Sequence, residues 1–88
     1  MAGKSPMQEL REGQGKTRGQ WALALGVSEN LVRMVETGST GLSGRLVDRL
    51  GELGMSAERV LDLTVRQEGW REELAAAERS SVDLRGVG

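Results

Sequence analysis

The chain is predicted to fold as an all-α domain, and two features of its 88 residues carry that prediction. Apolar residues recur at the spacing of amphipathic helices, and no run of β-branched residues alternates with period two. Residues that favour helix starts precede these stretches, and glycines follow them. A chain of this length suits one small domain with a modest core.

The first predicted helix begins at Ser5, with Pro6 at its first position and Gln8 placed to close a capping box. Proline lacks the N–H that a first helical turn leaves unpaired, so this order of residues favours a helix start. Gly13 and Gly15 are expected to end the helix.

The next two predicted helices are short and are joined by the tight turn Gly26-Val27-Ser28. Thr17 begins the first of them, with Gln20 in a second capping box, and Ser28 begins the other. Gly26 and Gly38 follow their last turns, where a left-handed residue is useful. In these helices and the next, the positions expected to face the core are Trp21, Ala22, Leu25, Val32, Val35, Leu46, Leu50 and Leu53.

Three more helices are predicted after this pair. One begins at Ser43 and runs to about Leu53, the next begins at Ser56, and the last runs from Thr64 to about Arg79. The final stretch is polar and contains glycine, so it is expected to be flexible. The predicted organisation is a helix-turn-helix domain over 1–63, a C-terminal helix over 64–79 and a flexible tail over 80–88.

The composition argues against catalysis and metal binding. The chain has no histidine, cysteine, tyrosine or phenylalanine, so the commonest general base, thiolate ligands and most base-stacking aromatics are missing. We therefore expect no enzyme activity, no metal site and no cofactor. No apolar run resembles a secretory signal or spans a bilayer, which predicts a cytoplasmic protein without membrane contact.

Charge is distributed unevenly along the chain, although the net charge is only −1. Residues 1–50 contain seven Lys and Arg against five Asp and Glu, and residues 51–88 contain five against eight. The front half is therefore +2 and the back half −3, which favours anion binding by the front half.

The third predicted helix carries side chains suited to reading base edges. With Val32 and Val35 inward, its outward residues can pair with adenine, guanine and cytosine or touch a thymine methyl group. Unpaired N–H groups at helix starts, and nearby cations, can bind phosphates. The expected contacts with double-stranded DNA are Lys16, Thr17, Arg18, Ser28, Glu29, Asn30, Arg33, Met34 and Arg45. A solvated helix face is the alternative for the outward residues.

A set of residues at fixed spacings surrounds this turn: Leu10, Arg11, Gly15, Thr17, Trp21, Ala22, Gly26, Val27, Ser28, Val32, Val35, Glu36 and Gly38. In this pattern the chain resembles the lambda-repressor/Cro-like helix-turn-helix family over roughly residues 7–63. The resemblance implies a five-helix DNA-binding domain, here with an additional C-terminal helix. It also implies that the third helix enters the major groove, that a homodimer binds two-fold-related half-sites, and that Arg11 and Glu36 form a structural ion pair.

The chain departs from the family pattern at several positions. Arg18 replaces a glutamine that usually touches DNA, and Lys16 replaces an apolar residue. Gly41 and Gly44 lie in a loop where relatives often present basic residues, so backbone contacts there are expected to be weaker.

The last predicted helix has a narrow apolar stripe. Leu63, Gln67, Trp70, Leu74 and Ala77 follow the four-three spacing of a coiled-coil seam. Two interpretations stay open: Trp70, Leu74 and Ala77 form a dimer seam, or the stripe packs on the chain's own core.

Together these patterns predict a sequence-specific transcriptional regulator, a repressor, that places residues Ser28 to Glu36 in the major groove as a homodimer. The alternative is an antitoxin-like or anti-repressor-type module that binds a protein partner, with weak or autoregulatory DNA binding. The low net charge and the acidic back half favour that alternative.

Overall fold

The structure, a computed structural model, describes residues 3–87, with side chains described as far as Arg79. These residues form five helices and no strand, so the all-α prediction is confirmed. The helices are α1 (Pro6–Gly13), α2 (Arg18–Leu25), α3 (Glu29–Glu36), α4 (Gly44–Glu52) and α5 (Ala57–Val87).

Side-chain caps begin the first four helices where the sequence predicts them. At Thr17 the capping box is complete, because Thr17 Oγ1 accepts from the N–H of Gln20 and Gln20 Oε1 accepts from the N–H of Thr17. At Ser5 only one half forms, since Gln8 Nε2 donates to Glu12 instead. The other two caps are Ser28 and Ser43, each accepting from the N–H three residues on.

The predicted boundary between the fifth and sixth helices is wrong. The residues after Ser56 form the single helix α5, and the expected domain division between residues 63 and 64 falls inside it. Thr64 does not cap a new helix, because its hydroxyl donates to the carbonyl of Val60 at 2.8 Å. A threonine can make this bond inside a helix, so its spacing to a glutamine does not specify a helix start. The helix also continues past Arg79 to Val87, into the stretch 80–88 that was expected to be a tail.

One apolar core joins all five helices. Leu53, which was expected in it, is exposed because α4 ends at Glu52 and Leu53 lies in the turn that follows. Each core residue removes apolar surface from water, which is the main favourable contribution to folding. The core consists of Met7, Trp21, Ala22, Leu25, Val32, Val35, Leu46, Leu50, Val60 and Leu63.

A buried glutamine connects the ends of two helices to α5. Gln67 has no exposed surface; its Nε2 donates to the carbonyl of Val35 at 2.9 Å, and its Oε1 accepts from the N–H of Met7 at 3.3 Å. The N–H of Met7 lies in the first turn of α1, where a helix offers no acceptor of its own. Gln67 thus fixes the start of α1 and the end of α3 relative to α5.

Trp70 packs on its own chain. Its Nε1 donates to the carbonyl of Gly3 at 3.1 Å, and its ring lies beside Gly38, where a Cβ would approach it to 3.0 Å. Gly38 also has φ of +84°, so glycine suits this position for two reasons. Of the three residues expected in a dimer seam, Trp70 is buried within the chain, Leu74 is half-buried and Ala77 is exposed.

The far end of α5 extends beyond the rest of the domain. Every side chain from Ala75 to Arg79 is exposed, and the molecule measures 50 × 26 × 21 Å. A helix of 31 residues is about 46 Å long, so α5 alone accounts for the long dimension.

Candidate nucleic-acid interface

A tight turn joins α2 to α3 and sets the direction of α3. Gly26 adopts φ of +68°, and the N–H of Val27 donates to the carbonyl of Ala22 at 3.0 Å. Val27 packs against the core, and Ser28 caps α3 by accepting from the N–H of Leu31 at 3.1 Å. The turn is therefore anchored on its inner side, and α3 keeps one side exposed.

Arg49 of α4 strengthens this turn. Its Nε donates to the carbonyl of Leu25 at 2.7 Å, and its Nη2 lies 2.7 Å from the position of a Cβ on Gly26. The last turn of a helix has unpaired carbonyls and a partial negative charge, so a cation is favourable there. No local sequence pattern indicates this contact, because Arg49 and Leu25 are 24 residues apart.

The outward residues of α3 are linked side by side. Glu29, Asn30 and Arg33 are exposed and Met34 is half-buried, as the spacing predicts. Asn30 Oδ1 accepts from Arg33 Nη2, and Asn30 Nδ2 lies 3.5 Å from Met34 Sδ. Residues three and four apart are neighbours on a helix surface, so these three side chains form one row along α3.

Glu29 lies against the first turn of α2. Its Oε2 is 3.5 Å from the position of a Cβ on Gly19, so that glycine leaves room for the carboxylate. A negative charge is stabilised beside the start of a helix. An anion placed at the start of α2 would be repelled by this carboxylate.

A single carboxylate at the end of α3 joins α1 and α2. Glu36 is fully buried; its Oε2 accepts from Arg11 Nε at 2.7 Å, and its Oε1 accepts from Arg18 Nε at 2.9 Å. Arg11 Nη1 also donates to the carbonyl of Lys16 at 2.9 Å. The pair of Arg11 and Glu36 that the resemblance implied is therefore present, whereas the contact of Arg18 was not predicted.

The two arginines differ in what they offer to a ligand. The hydrogen bond to Glu36 raises the pKa of Arg11, which is half-buried in the cluster and remains charged. Arg18 leaves 34% of its side chain exposed and uses Nε for Glu36, so its terminal nitrogens are available. The two guanidinium groups share the carboxylate of Glu36, and Glu12 Oε2 lies a further 4.0 Å from Arg11 Nη2.

The remaining predicted contacts lie at helix starts and in a cleft. Thr17 and Ser28 are exposed at the starts of α2 and α3, and Arg45 is exposed in the first turn of α4. Lys16 and Leu53 line the same cleft, and core residues form part of the bottom of that cleft. The structure thus places Lys16 beside the connection between α4 and α5.

The loop after α3 is fixed to α5. Arg71 Nε donates to the carbonyl of Gly38 at 3.2 Å, and Arg71 Nη1 pairs with Glu68 at 3.0 Å. A Cβ on Gly41 would lie 2.5 Å from Glu68 Oε1, so glycine leaves room for this ion pair. The loop therefore lies beside a paired carboxylate and presents no basic side chain of its own.

Comparison with protein-family models, with curated proteins and with solved structures gave no match. Among the described residues, no group of carboxylates is arranged to hold a metal ion. Within the same residues, no helix has both the length and the apolar character needed to cross a bilayer.

Proposed function

We propose that the protein is a sequence-specific DNA-binding transcriptional regulator that inserts α3 into the major groove. The supporting observation is the row of Asn30, Arg33 and Met34 on the exposed side of α3. An α-helix fits the major groove, where asparagine pairs with adenine, arginine with guanine, and apolar groups contact the thymine methyl group.

The anchoring of α3 supports this proposal. Its start is capped by Ser28 and its end is held by the buried Glu36, so the reading side chains project from a fixed helix. Arg18 is held by the same carboxylate and offers its terminal nitrogens to a phosphate. The remaining contacts with the DNA backbone are assigned to Thr17, Ser28, Lys16 and Arg45. Phosphate contacts position a protein, and base contacts specify the sequence.

Two copies are proposed to bind together at two-fold-related half-sites. One copy provides three reading side chains, and each good bidentate pair contributes about 1–3 kcal/mol of discrimination. The net charge of −1 also gives little sequence-independent attraction to DNA. A second copy doubles the number of base contacts and of phosphate contacts, and such a dimer would repress by occupying its operator. Because Trp70 is buried in its own chain, a seam on α5 would lie beyond it, at Leu74 and Ala77.

A selection from random duplexes at about 50 mM salt tests the proposal. The expected product is a palindrome whose half-sites are separated by about 34 Å, one helical turn. If no sequence is enriched, the proposal is wrong.

Three variants separate the assigned roles. Arg33→Ala should remove the base preference at one position of each half-site. Arg18→Ala should weaken binding to all duplexes and reduce the salt slope by about one. The matched control is Arg66→Ala, which removes the same charge from an exposed position on α5. Equal losses in Arg18→Ala and Arg66→Ala would contradict the phosphate role of Arg18.

A further inference from the structure

An apolar groove lies between α4 and α5, and no residue of the α3 row contributes to it. Its wall includes Val47 from α4, Met55 from the connection, and Val60 and Leu61 from α5. Leu61 is 65% exposed, and Val65, one turn further along α5, is 63% exposed. Single apolar residues are common on protein surfaces, but these two adjoin a groove that is itself apolar.

The structure shows no reason within the fold for a glycine at position 51, in this groove. Gly51 lies within α4 and lines the groove, and its φ is not positive. A Cβ at this position would meet no other atom within 4 Å. Glycine in a helix is less favourable than alanine, so an alanine would be the better choice for α4 alone. A glycine here permits the close approach of a backbone from outside the chain.

Carboxylates surround the apolar surface. Glu58, Glu68 and Glu72 each stand three or seven residues from Leu61 or Val65, which places them on the same side of α5. Asp48 lines the groove from α4, and all four acidic residues are exposed. Among the side chains that the structure describes, the cation that pairs with one of them is Arg71, which binds Glu68. The groove is therefore mainly apolar, with one carboxylate of its own at Asp48 and further carboxylates on the side of α5 that carries Leu61 and Val65.

We propose that the groove between α4 and α5 binds a basic amphipathic helix of a partner protein. The apolar side of that helix would pack on Leu61 and Val65, and its lysines or arginines would face Asp48, Glu58 and Glu72. From Ala57 to Thr64 the groove follows eight residues of α5, about 12 Å, which suits two turns of a bound helix. Apolar anchors from successive turns of a helix commonly fill a groove of this kind.

The same charges argue against a second copy of this chain as the occupant. In a two-fold contact each surface meets an identical surface. The three glutamates of α5 would then face the same glutamates of the other copy, and like charges across an interface are unfavourable. The proposal is separate from DNA binding, since the groove contains none of the residues assigned to DNA.

A peptide titration of the full chain tests this proposal. The probe is a synthetic helix of about 15 residues with leucines at i, i+3, i+4 and i+7 and lysines at the other positions. Two controls have glutamates in place of the lysines, or the same leucines and lysines in an order without helical periodicity. Binding is measured by calorimetry, and the site by methyl NMR signals of Leu61 and Val65.

The basic amphipathic peptide should bind at the groove, and both control peptides should bind at least about tenfold more weakly. Leu61→Ser, or Val65→Ser as a second variant, should reduce affinity by about tenfold with an unchanged circular dichroism spectrum. The matched control is Leu23→Ser on α2, where the leucine is 85% exposed, and it should bind like the parent chain.

Two results would overturn the proposal. One is equal binding of the reordered peptide, or of the parent chain and Leu61→Ser, because the attraction would then be charge alone. The other is a dimer in sedimentation that Leu61→Ser converts to a monomer, because the groove would then join two copies of this chain.

Discussion

Replacing Gln67 with methionine should destabilise the fold, although the two side chains are similar in size. The N–H of Met7 would lose its acceptor, because the first turn of α1 provides none. The carbonyl of Val35 would keep its bond from the N–H of Gly38, at 3.2 Å. One buried donor would thus be left unpaired, which costs about 1–3 kcal/mol.

The loss of the second hydrogen bond adds about 1 kcal/mol, so the free energy of unfolding should fall by about 2–4 kcal/mol. With a urea slope of about 1 kcal/mol per M, the unfolding midpoint should decrease by roughly 2–4 M. Tryptophan fluorescence during urea titration measures this midpoint, since Trp21 and Trp70 are both buried.

The matched control for this experiment is Gln14→Met, at an exposed position after α1. It should change the free energy of unfolding by less than about 0.5 kcal/mol. Equal stability of Gln67→Met and Gln14→Met would refute the reasoning, because it would mean that Gln67 stabilises neither helix end.

Four further variants test other parts of the structure. Arg11→Ala should lower the free energy of unfolding by about 2–4 kcal/mol in chemical denaturation, because Glu36 would stay buried with one cation fewer. A loss below about 0.5 kcal/mol, as for an exposed ion pair, would contradict this. Gly26→Ala should cost about 1–2 kcal/mol in thermal unfolding, from its left-handed backbone and its contact with Arg49; unchanged stability would contradict it. Glu29→Gln should raise affinity for all duplexes about two- to fivefold at low salt, measured by fluorescence anisotropy; weaker binding would mean that Glu29 contacts a base. Ala77→Arg should shift sedimentation at micromolar concentration toward one chain, and an unchanged dimer would place the seam elsewhere.

The features that the sequence predicts well are local ones. A cap at Thr17 or Ser28 depends on atoms three residues apart, so its residues are recognisable without knowledge of the tertiary structure. The core positions of α2 and α3 follow from the 3.6-residue period in the same way. The exposed row on α3 was therefore predictable, although its contact with DNA stays a prediction.

The features that the sequence does not predict depend on contacts between distant segments. Arg49 binds the carbonyl of Leu25 only because α4 packs across the end of α2, and no local spacing indicates this. Gln67 occupies a stripe position without any sign that its amide bridges α1 and α3. The continuity of α5 through Thr64 was missed for a different reason, since a hydroxyl can bond either to a helix start or to a carbonyl within a helix.

Because α5 is one continuous helix, the directions in which the side chains of its exposed end project are set relative to the rest of the domain. Because a helix rotates by about 100° and rises by about 1.5 Å for each residue, one residue inserted after Leu74 would turn the tip by more than a quarter of a circle. The inserted residue would leave the packing of α5 on α1 and α4 unchanged. A protein that bound this exposed end of α5 would therefore have a defined orientation relative to α3. A flexible linker in place of the helix would not define that orientation. Changing the number of residues between Leu74 and the exposed end would change this orientation in discrete steps.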